Sequence, residues 1–352
     1  MKQAKREIVI LDGTKAEAIT PAILSVSRAT DVPAFYSEWF FNRLERGYCR
    51  WRNPFNGADN YVSFENVRFI VFWSKNPAPL IPYISRLQKH GIKCYIQYTL
   101  NDYEDERLEP EVSPLRHRID TFKLLAKTPG VGAVVWRFDP LILTDKISID
   151  DLLSKIEGIG NQLMAYTEKL VFSFADIASY RKVSGNLTSH GINYREWTES
   201  EMLDFARQLS ELNHRNGWNF RLATCAEKID LGKYGIVHNR CIDDEMIARI
   251  AWQDVELMKH LGMDIRQYTP DLFGQSMLPE GAIPLDGNRY AVRTRHNRDS
   301  GQRKLCGCIA AKDIGQYNTC PHGCLYCYAN TSPDSARSNF LLHNPDAETI
   351  IK

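Results

Sequence analysis

No run of apolar residues in this 352-residue sequence approaches the ~18 that a membrane-spanning helix requires, so no membrane partner is expected. Net charge is nearly absent as well. The chain carries 44 Lys and Arg against 43 Asp and Glu, which argues against a general polyanion binder while leaving room for a local patch. Internal repeats and low-complexity tracts are missing. There is no Gly-x-Ser-x-Gly elbow, no glycine-rich phosphate loop ending in Lys-Ser/Thr and no His-Glu-x-x-His. His117, His190, His214, His238 and His296 show no metal-ligand spacing. The charged opening, Met1 to Glu7, is followed only by Ile8-Val9-Ile10-Leu11 before Asp12-Gly13. That is too short for the apolar core of a secretion signal, and a cytoplasmic location is expected.

What is present is an ordinary globular composition, 43% hydrophobic and 25% charged, too apolar for a disordered chain. Residues 20–262 alternate short β-branched or aromatic runs with longer amphipathic stretches. Strands are expected at Ile23–Ser27, Arg68–Trp73, Lys93–Tyr98, Ala133–Phe138, Lys169–Phe174 and Asn219–Thr224. Helical stripes follow, such as Glu201–Leu212 with Met202, Phe205, Leu209 and Leu212, and Asp244–Leu261 with Ile247, Ile250, Met258 and Leu261. Repeated β-then-α units imply parallel pairing with right-handed crossovers. The expected fold is therefore α/β: a (β/α) barrel or partial barrel of parallel strands over residues 1–262, completed by a Cys-rich segment, 263–352. An open doubly wound sheet is the alternative.

In either architecture function gathers at the carboxyl ends of the strands. Nearly every such end here carries polar or ionisable residues: Arg28, Thr30 and Asp31; Ser74-Lys75-Asn76; Gln97 and Thr99; Arg137 and Asp139; Asp176; Cys225. Six in succession suggest a lined cavity, with Arg28, Arg137, Asp139 and Asp176 as candidates for orienting a substrate. After Leu261 no period is sustained, and Arg289–Lys304 holds six Lys or Arg against one Asp.

Nine cysteines are many for a reducing compartment, and five of them crowd into 306–327, which favours metal binding over disulfides. The sharpest pattern is Cys320-x3-Cys324-x2-Cys327. Three thiolates on one tight loop can hold three irons of a [4Fe–4S] cubane, whose full ligand set is normally four cysteines, so one iron stays open. Zinc is the alternative. Closed zinc sites take four ligands, usually as two short pairs, and His322, the residue that could complete the count, lies between two of the cysteines, where the geometry is poor.

This loop, down to the aromatic Tyr326 before the third cysteine, resembles the signature of the radical S-adenosylmethionine (SAM) enzymes. The resemblance implies that the open iron chelates SAM. It further implies that one electron, from a donor such as flavodoxin or ferredoxin, cleaves the sulfonium to methionine and a 5′-deoxyadenosyl radical, which takes hydrogen from a substrate. In that superfamily the triplet follows the first strand near the N-terminus, whereas here it lies near the C-terminus. A circular permutation reconciles the two, with Asp313–Thr319 as the family's first strand and Ile23–Ser27 as its second. The wording Cys-x3-Cys-x-Tyr-Cys-Tyr-Ala resembles the spore photoproduct lyase branch. That branch's later landmarks are met in order on restarting at the N-terminus: Thr30-Asp31-Val32-Pro33, Ser74-Lys75-Asn76-Pro77, Gln97-Tyr98-Thr99, Leu108-Glu109-Pro110 with Ser113-Pro114-Leu115-Arg116, and Asp139-Pro140-Leu141. The whole chain also resembles a family of uncharacterised bacterial proteins with radical-SAM-like cysteines at the C-terminus.

Carried over residue by residue, the resemblance implies Cys320, Cys324 and Cys327 as cluster ligands. It implies Lys75 as a partner of the SAM carboxylate, Thr99 and Gln97 as lining of the SAM site with Tyr326, and Thr30 and Asp31 where the SAM amino group is gripped. A second set, Cys225, Cys241, Cys306 and Cys308, supplies the four thiols that fill a closed site, read as an auxiliary [4Fe–4S] cluster, with zinc or unrelated buried cysteines as alternatives. Cys94 sits mid-strand and belongs to the core, while Cys49 is a candidate radical-quenching thiol or an ordinary semi-buried cysteine. The basic stretch, with Tyr290 and the Trp51/Trp73 region as stacking surfaces, is a candidate nucleic-acid contact, and the lyase branch acts on damaged DNA. The alternative is a solvated loop offset by acids such as Asp102, Glu104, Asp105 and Glu106. The function expected is a radical SAM enzyme. The competing reading is a non-catalytic iron–sulfur or zinc protein that binds nucleic acid or passes electrons.

Overall fold

The computed structural model describes residues 4–54, 56–225, 227–268, 278–303 and 305–351; Lys304 of the basic stretch lies outside them. Eight strands form the main sheet: β1 (Ile23–Val26), β2 (Phe69–Ser74), β3 (Lys93–Thr99), β4 (Val131–Leu141), β5 (Lys169–Phe174), β6 (Arg221–Thr224), β7 (Val237–His238) and β8 (Lys312–Asp313). Their spatial order is β7-β6-β5-β4-β3-β2-β1-β8, and every neighbouring pair is parallel. Chain order and spatial order coincide from β1 to β7. The last strand then returns to lie outside the first, Lys312 opposite Leu24 and Asp313 opposite Ser25.

The six strands expected from sequence are β1 to β6. Side chains alternate across a strand, and here the two faces bury different partners. Even-numbered residues (Leu24, Ile70, Phe72, Cys94, Ile96, Trp136, Leu170, Phe172) share one core with the crossover helices. Those helices are α1 (Val32–Phe35), α2 (Ser37–Arg46), α3 (Ile84–Lys89), α4 (Leu115–Ala126), α5 (Ile149–Leu163), α6 (Arg181–Ser189) and α7 (Glu199–Arg215). Odd-numbered residues (Ile23, Phe69, Val71, Tyr95, Val135, Val171, Ala223) share a second core with α8 (Asp244–Ala251) and α9 (Val255–Leu261). On this second face the strands begin apolar and end polar, through Ser25, Trp73, Gln97, Thr99, Arg137, Asp139 and Ser173. The face is a floor that opens into chemistry at its carboxyl edge.

Two expectations are corrected. The helix read over Asp244–Leu261 breaks between α8 and α9, because the Asp254 carboxylate accepts from the Leu257 N–H at 3.0 Å and starts a new helix. The strand read over Asp313 onward is only Lys312–Asp313. The Asp313 carboxylate accepts from the hydroxyls of Ser25 (2.8 Å) and Ser27 (2.6 Å) and from the N–H groups of Arg28 and Gly315 (both 2.9 Å), which turns the chain. A side chain on Gly315 would collide with the Ser27 hydroxyl, so only glycine lets the two ends of the chain meet here. Replacing Asp313 by alanine strands several partly buried donors at once and is expected to cost about 1–3 kcal/mol in urea unfolding. Asp313→Asn, which keeps an acceptor oxygen, should lose less.

Smaller sheets flank this frame. An N-terminal four-stranded sheet joins Lys5–Val9, Lys15–Ile19, Asp59–Ser63 and Tyr48–Arg52. The aperiodic region after Leu261 holds an antiparallel sheet of Met263–Gln267, Arg289–Arg293 and Ile283–Leu285. Helix α10 (Pro333–Leu341) follows the cysteine loop. Among the described residues no helix is long and apolar enough to cross a membrane.

Candidate functional site

The loop bearing Cys320, Cys324 and Cys327 leaves the carboxyl end of β8 and is pinned from every side. Tyr36 of α1's C-cap donates to the Thr319 carbonyl, Asn330 Nδ2 to that of Cys320 (2.7 Å), the Leu325 N–H to that of Leu108 (3.0 Å), and the Glu111 N–H to that of His322 (3.2 Å). Gly323, at φ +67°, makes the reversal between the first two cysteines in a conformation few other residues adopt. Asp31 ties the loop to two strand ends. One oxygen caps α1 through the Ala34 N–H (3.0 Å), and the other meets both the Lys75 N–H (2.7 Å) and His322 Nε2 (2.8 Å).

The three thiols lie within electrostatic reach of one another. Burial pushes Cys320 up to about 12, with Asp31 and Cys327 adding. Burial also raises Cys324 and Cys327, with Lys75 pulling both the other way. Left alone, these groups stay neutral thiols, and a bound cation is what would make them ligands. Among the described residues, no group of three or more His, Cys, Asp or Glu side chains is placed so that it could hold a metal ion. Behind the loop runs a buried polar network. Lys75 Nζ donates to Glu109 Oε1 (2.6 Å) and to the Tyr326 hydroxyl (2.8 Å), Tyr326 donates to Glu109, and Asn101 Nδ2 reaches both (3.1 and 3.0 Å). Arg118 NH1 lies 3.7 Å from the second Glu109 oxygen. Lys75 is thus committed to Glu109, a partner the sequence gives no reason to choose, rather than facing the pocket as a lone ammonium.

The second set of cysteines is also brought together. Cys225, at the end of β6, has its sulfur 3.5 Å from that of Cys241, and Cys308 Sγ accepts from the N–H groups of Cys241 (3.2 Å) and Ile242 (3.4 Å). Cys306 interacts with Cys308 in turn. Arg137 NH1 (3.3 Å) and Asn239 Nδ2 (3.1 Å) both donate to the Cys241 sulfur. Hydrogen bonds from Cys225 and Cys308 hold Cys241 well below the usual thiol range against the effect of burial, and Arg137 and Arg28 add to them. Arg28 and Arg137 share the Trp73 ring, each 5.3 Å from its centroid.

The remaining candidates separate. Thr30 is buried, and its hydroxyl has no partner. Gln97 belongs to the second cysteine set, donating to the Cys241 carbonyl at 2.8 Å, while Thr99 is half-buried at the end of β3. Asp139 pairs with Arg137 and accepts from Ser173. Asp176 is exposed and accepts from Ser179 at 2.7 Å within its own loop. Cys49 is 0% exposed within the core and pushed up to about 12 by burial, which corrects its reading as a quenching thiol. Glu227, a strand-end acid with no motif around it, is pushed up to about 7 by burial, with Asp139 and Asp176 adding to the shift.

Three arginines of the basic stretch have internal partners. Arg293 pairs with Asp244 (2.8 Å) and Glu245 (2.7 Å), and Arg295 donates to the carbonyls of Lys259 and His260. Arg298 donates to those of Cys306 and Arg303. A surface cleft of about 610 Å³, lined by residues such as Arg6, Tyr48, Glu65 and His90, is formed without any of these cysteines.

Among solved structures, the chain is similar to the 1.8 Å crystal structure of the IOLI protein with a binding zinc atom. Identity is 14% and the TM-score 0.31, over 58% of this chain and 62% of that one, a likeness too slight to bear on function. No curated protein matches. A family profile described as "Domain of unknown function (DUF1848)" matches residues 23–329, from β1 through the last cysteine of the triplet, and the chain belongs to that family.

Proposed function

We propose that this protein is a radical SAM enzyme on a permuted partial (β/α) barrel, similar to the spore photoproduct lyase branch, with a [4Fe–4S] cluster held by Cys320, Cys324 and Cys327. One observation carries the reading. The strand that precedes the cysteine loop lies beside β1, so the sheet reads β8-β1-β2 through β7 in unbroken spatial order. A triplet written near the C-terminus thereby stands where a first-strand triplet would. The donor set fits: buried Cys324 and half-buried Cys320 and Cys327 share one loop that carries no fourth cysteine, which leaves an iron for SAM. Nine cysteines with no disulfide between them suit a reducing compartment, the cytoplasm.

When bound, the cluster supplies one-electron cleavage of SAM and, through it, hydrogen abstraction from a substrate. This chain's residues prepare the place. Asp31 and His322 lock the loop against α1 and β2. Lys75 sets positive charge beside Cys324 and, with Glu109, fixes the Tyr326 ring as a positioning group. The unpartnered Thr30 hydroxyl and the half-buried Thr99 are the polar groups offered to SAM.

The test is anaerobic reconstitution, reduction by dithionite, and chromatography for 5′-deoxyadenosine. SAM-dependent formation of that product is expected. A fully loaded, reducible protein that forms none would overturn the reading in favour of a non-catalytic metalloprotein.

A further inference from the structure

We propose that Cys225, Cys241, Cys306 and Cys308 hold a second, fully cysteine-ligated [4Fe–4S] cluster, whose sulfurs are addressed by Arg137 and by the chain's own N–H groups. The inference stands apart from the radical SAM reading, because none of its residues belongs to the triplet loop. Four thiols arrive from three separate segments: the end of β6, the turn before α8, and the strap that leads to β8. They form a contiguous string, Cys225 to Cys241 to Cys308 to Cys306. A cubane seats each thiolate on its own iron, so its ligands need to surround a volume rather than converge on one point.

The donors around the sulfurs carry the argument further. The N–H groups of Cys241 and Ile242 aim at Cys308 Sγ, and Asn239 Nδ2 and Arg137 NH1 aim at Cys241 Sγ. A neutral thiol is a weak acceptor, and the two N–H groups aimed at Cys308 would be poorly satisfied by one. Against metal-bound thiolates the same donors make charge-assisted bonds of the kind that orient and tune cluster ligands. Arg28 and Arg137, stacked on Trp73, supply positive charge next to a group of net negative charge, and Arg28 is within electrostatic reach of Cys241, Cys306 and Cys308. Unrelated core cysteines would need neither the donors nor the cations.

The experiment compares the full-length chain with a Cys320→Ala/Cys324→Ala/Cys327→Ala variant, both reconstituted anaerobically. Iron, acid-labile sulfide and zinc are quantified, and Mössbauer spectra are recorded. About eight irons per parent chain and about four in the triplet variant, with a cubane Mössbauer signature, are expected. A triplet variant without iron, or one holding a single zinc, overturns the proposal. Should that variant fail to fold by circular dichroism, a Cys225→Ala/Cys308→Ala variant decides: loss of about four irons relative to the parent supports the second cubane, and an unchanged iron content contradicts it. If iron persists in the triplet variant at the parent's full level, the SAM-cluster reading fails while the second cluster stands.

Discussion

Replacing Cys324 by alanine is expected to abolish 5′-deoxyadenosine formation and to remove about four irons per chain from the reconstituted protein. The effect is all-or-none because the loop has no spare cysteine and its His322 is held by Asp31. A closed site that loses one of four thiolates can recruit water or a neighbouring side chain. On the proposed reading, a cluster that gives one iron to SAM would be left on two thiolates, in a pocket where burial keeps the free thiols neutral. Cys49→Ala is the matching control. It changes a core thiol remote in role from the site and should cost on the order of 1 kcal/mol of stability without loss of product. Chromatography of the nucleoside and iron analysis on both variants separate the two outcomes, and product formation that survives Cys324→Ala would contradict the assignment.

The largest stability effect is expected at Glu109. Its carboxylate is nearly inaccessible and is the shared counter-charge of Lys75 and Arg118. Glu109→Ala would leave two buried cations facing each other and is expected to cost about 3–5 kcal/mol. Glu109→Gln retains hydrogen-bonding capacity and should cost less, and both should loosen Tyr326 and lower cluster loading. The pH dependence has a definite sign. Burial pushes the Glu109 carboxyl up, but Lys75 and Arg118 more than offset it and leave it below the ordinary carboxylate range. A depressed folded value means that its contribution is present above the unfolded pKa and is lost as pH falls through the folded one. Urea unfolding across the acid range should therefore show a steeper acid limb in the parent than in Glu109→Gln. Equal limbs would show that the ion pair contributes nothing.

The parts of this fold legible in sequence are those set by local periodicity. The alternating runs of β1 to β6 are buried on both faces and read as strands because both neighbours demand apolar contact. The stripe of α7 likewise announces the face that packs on the sheet. The cysteine triplet is legible because its three ligands share one loop. What sequence hides is long-range pairing of polar groups. Nothing local to Lys75 names Glu109, and nothing local to His322 names Asp31, 291 residues away. The arginines after Leu261 read as a free basic stripe until Asp244 and Glu245, on a helix of the second core, claim Arg293. Arg137 looks like a substrate residue at a strand end, yet its guanidinium is spent on Cys241, Gln97 and Asp139. Short strands escape for a different reason: β8 is two residues long, and its place is fixed by the Asp313 side chain rather than by any hydrophobic pattern.

Electron paramagnetic resonance of the reduced protein, with and without SAM, tests the account at its centre, since it reads the open iron itself. In a Cys225→Ser/Cys308→Ser background, which isolates the triplet, the reduced spectrum should change on adding SAM, and the signal should vanish when Cys324 is also replaced. A reduced cluster signal that SAM leaves unaltered would mean that the triplet has no site open to SAM, and the proposed enzyme would have to be abandoned.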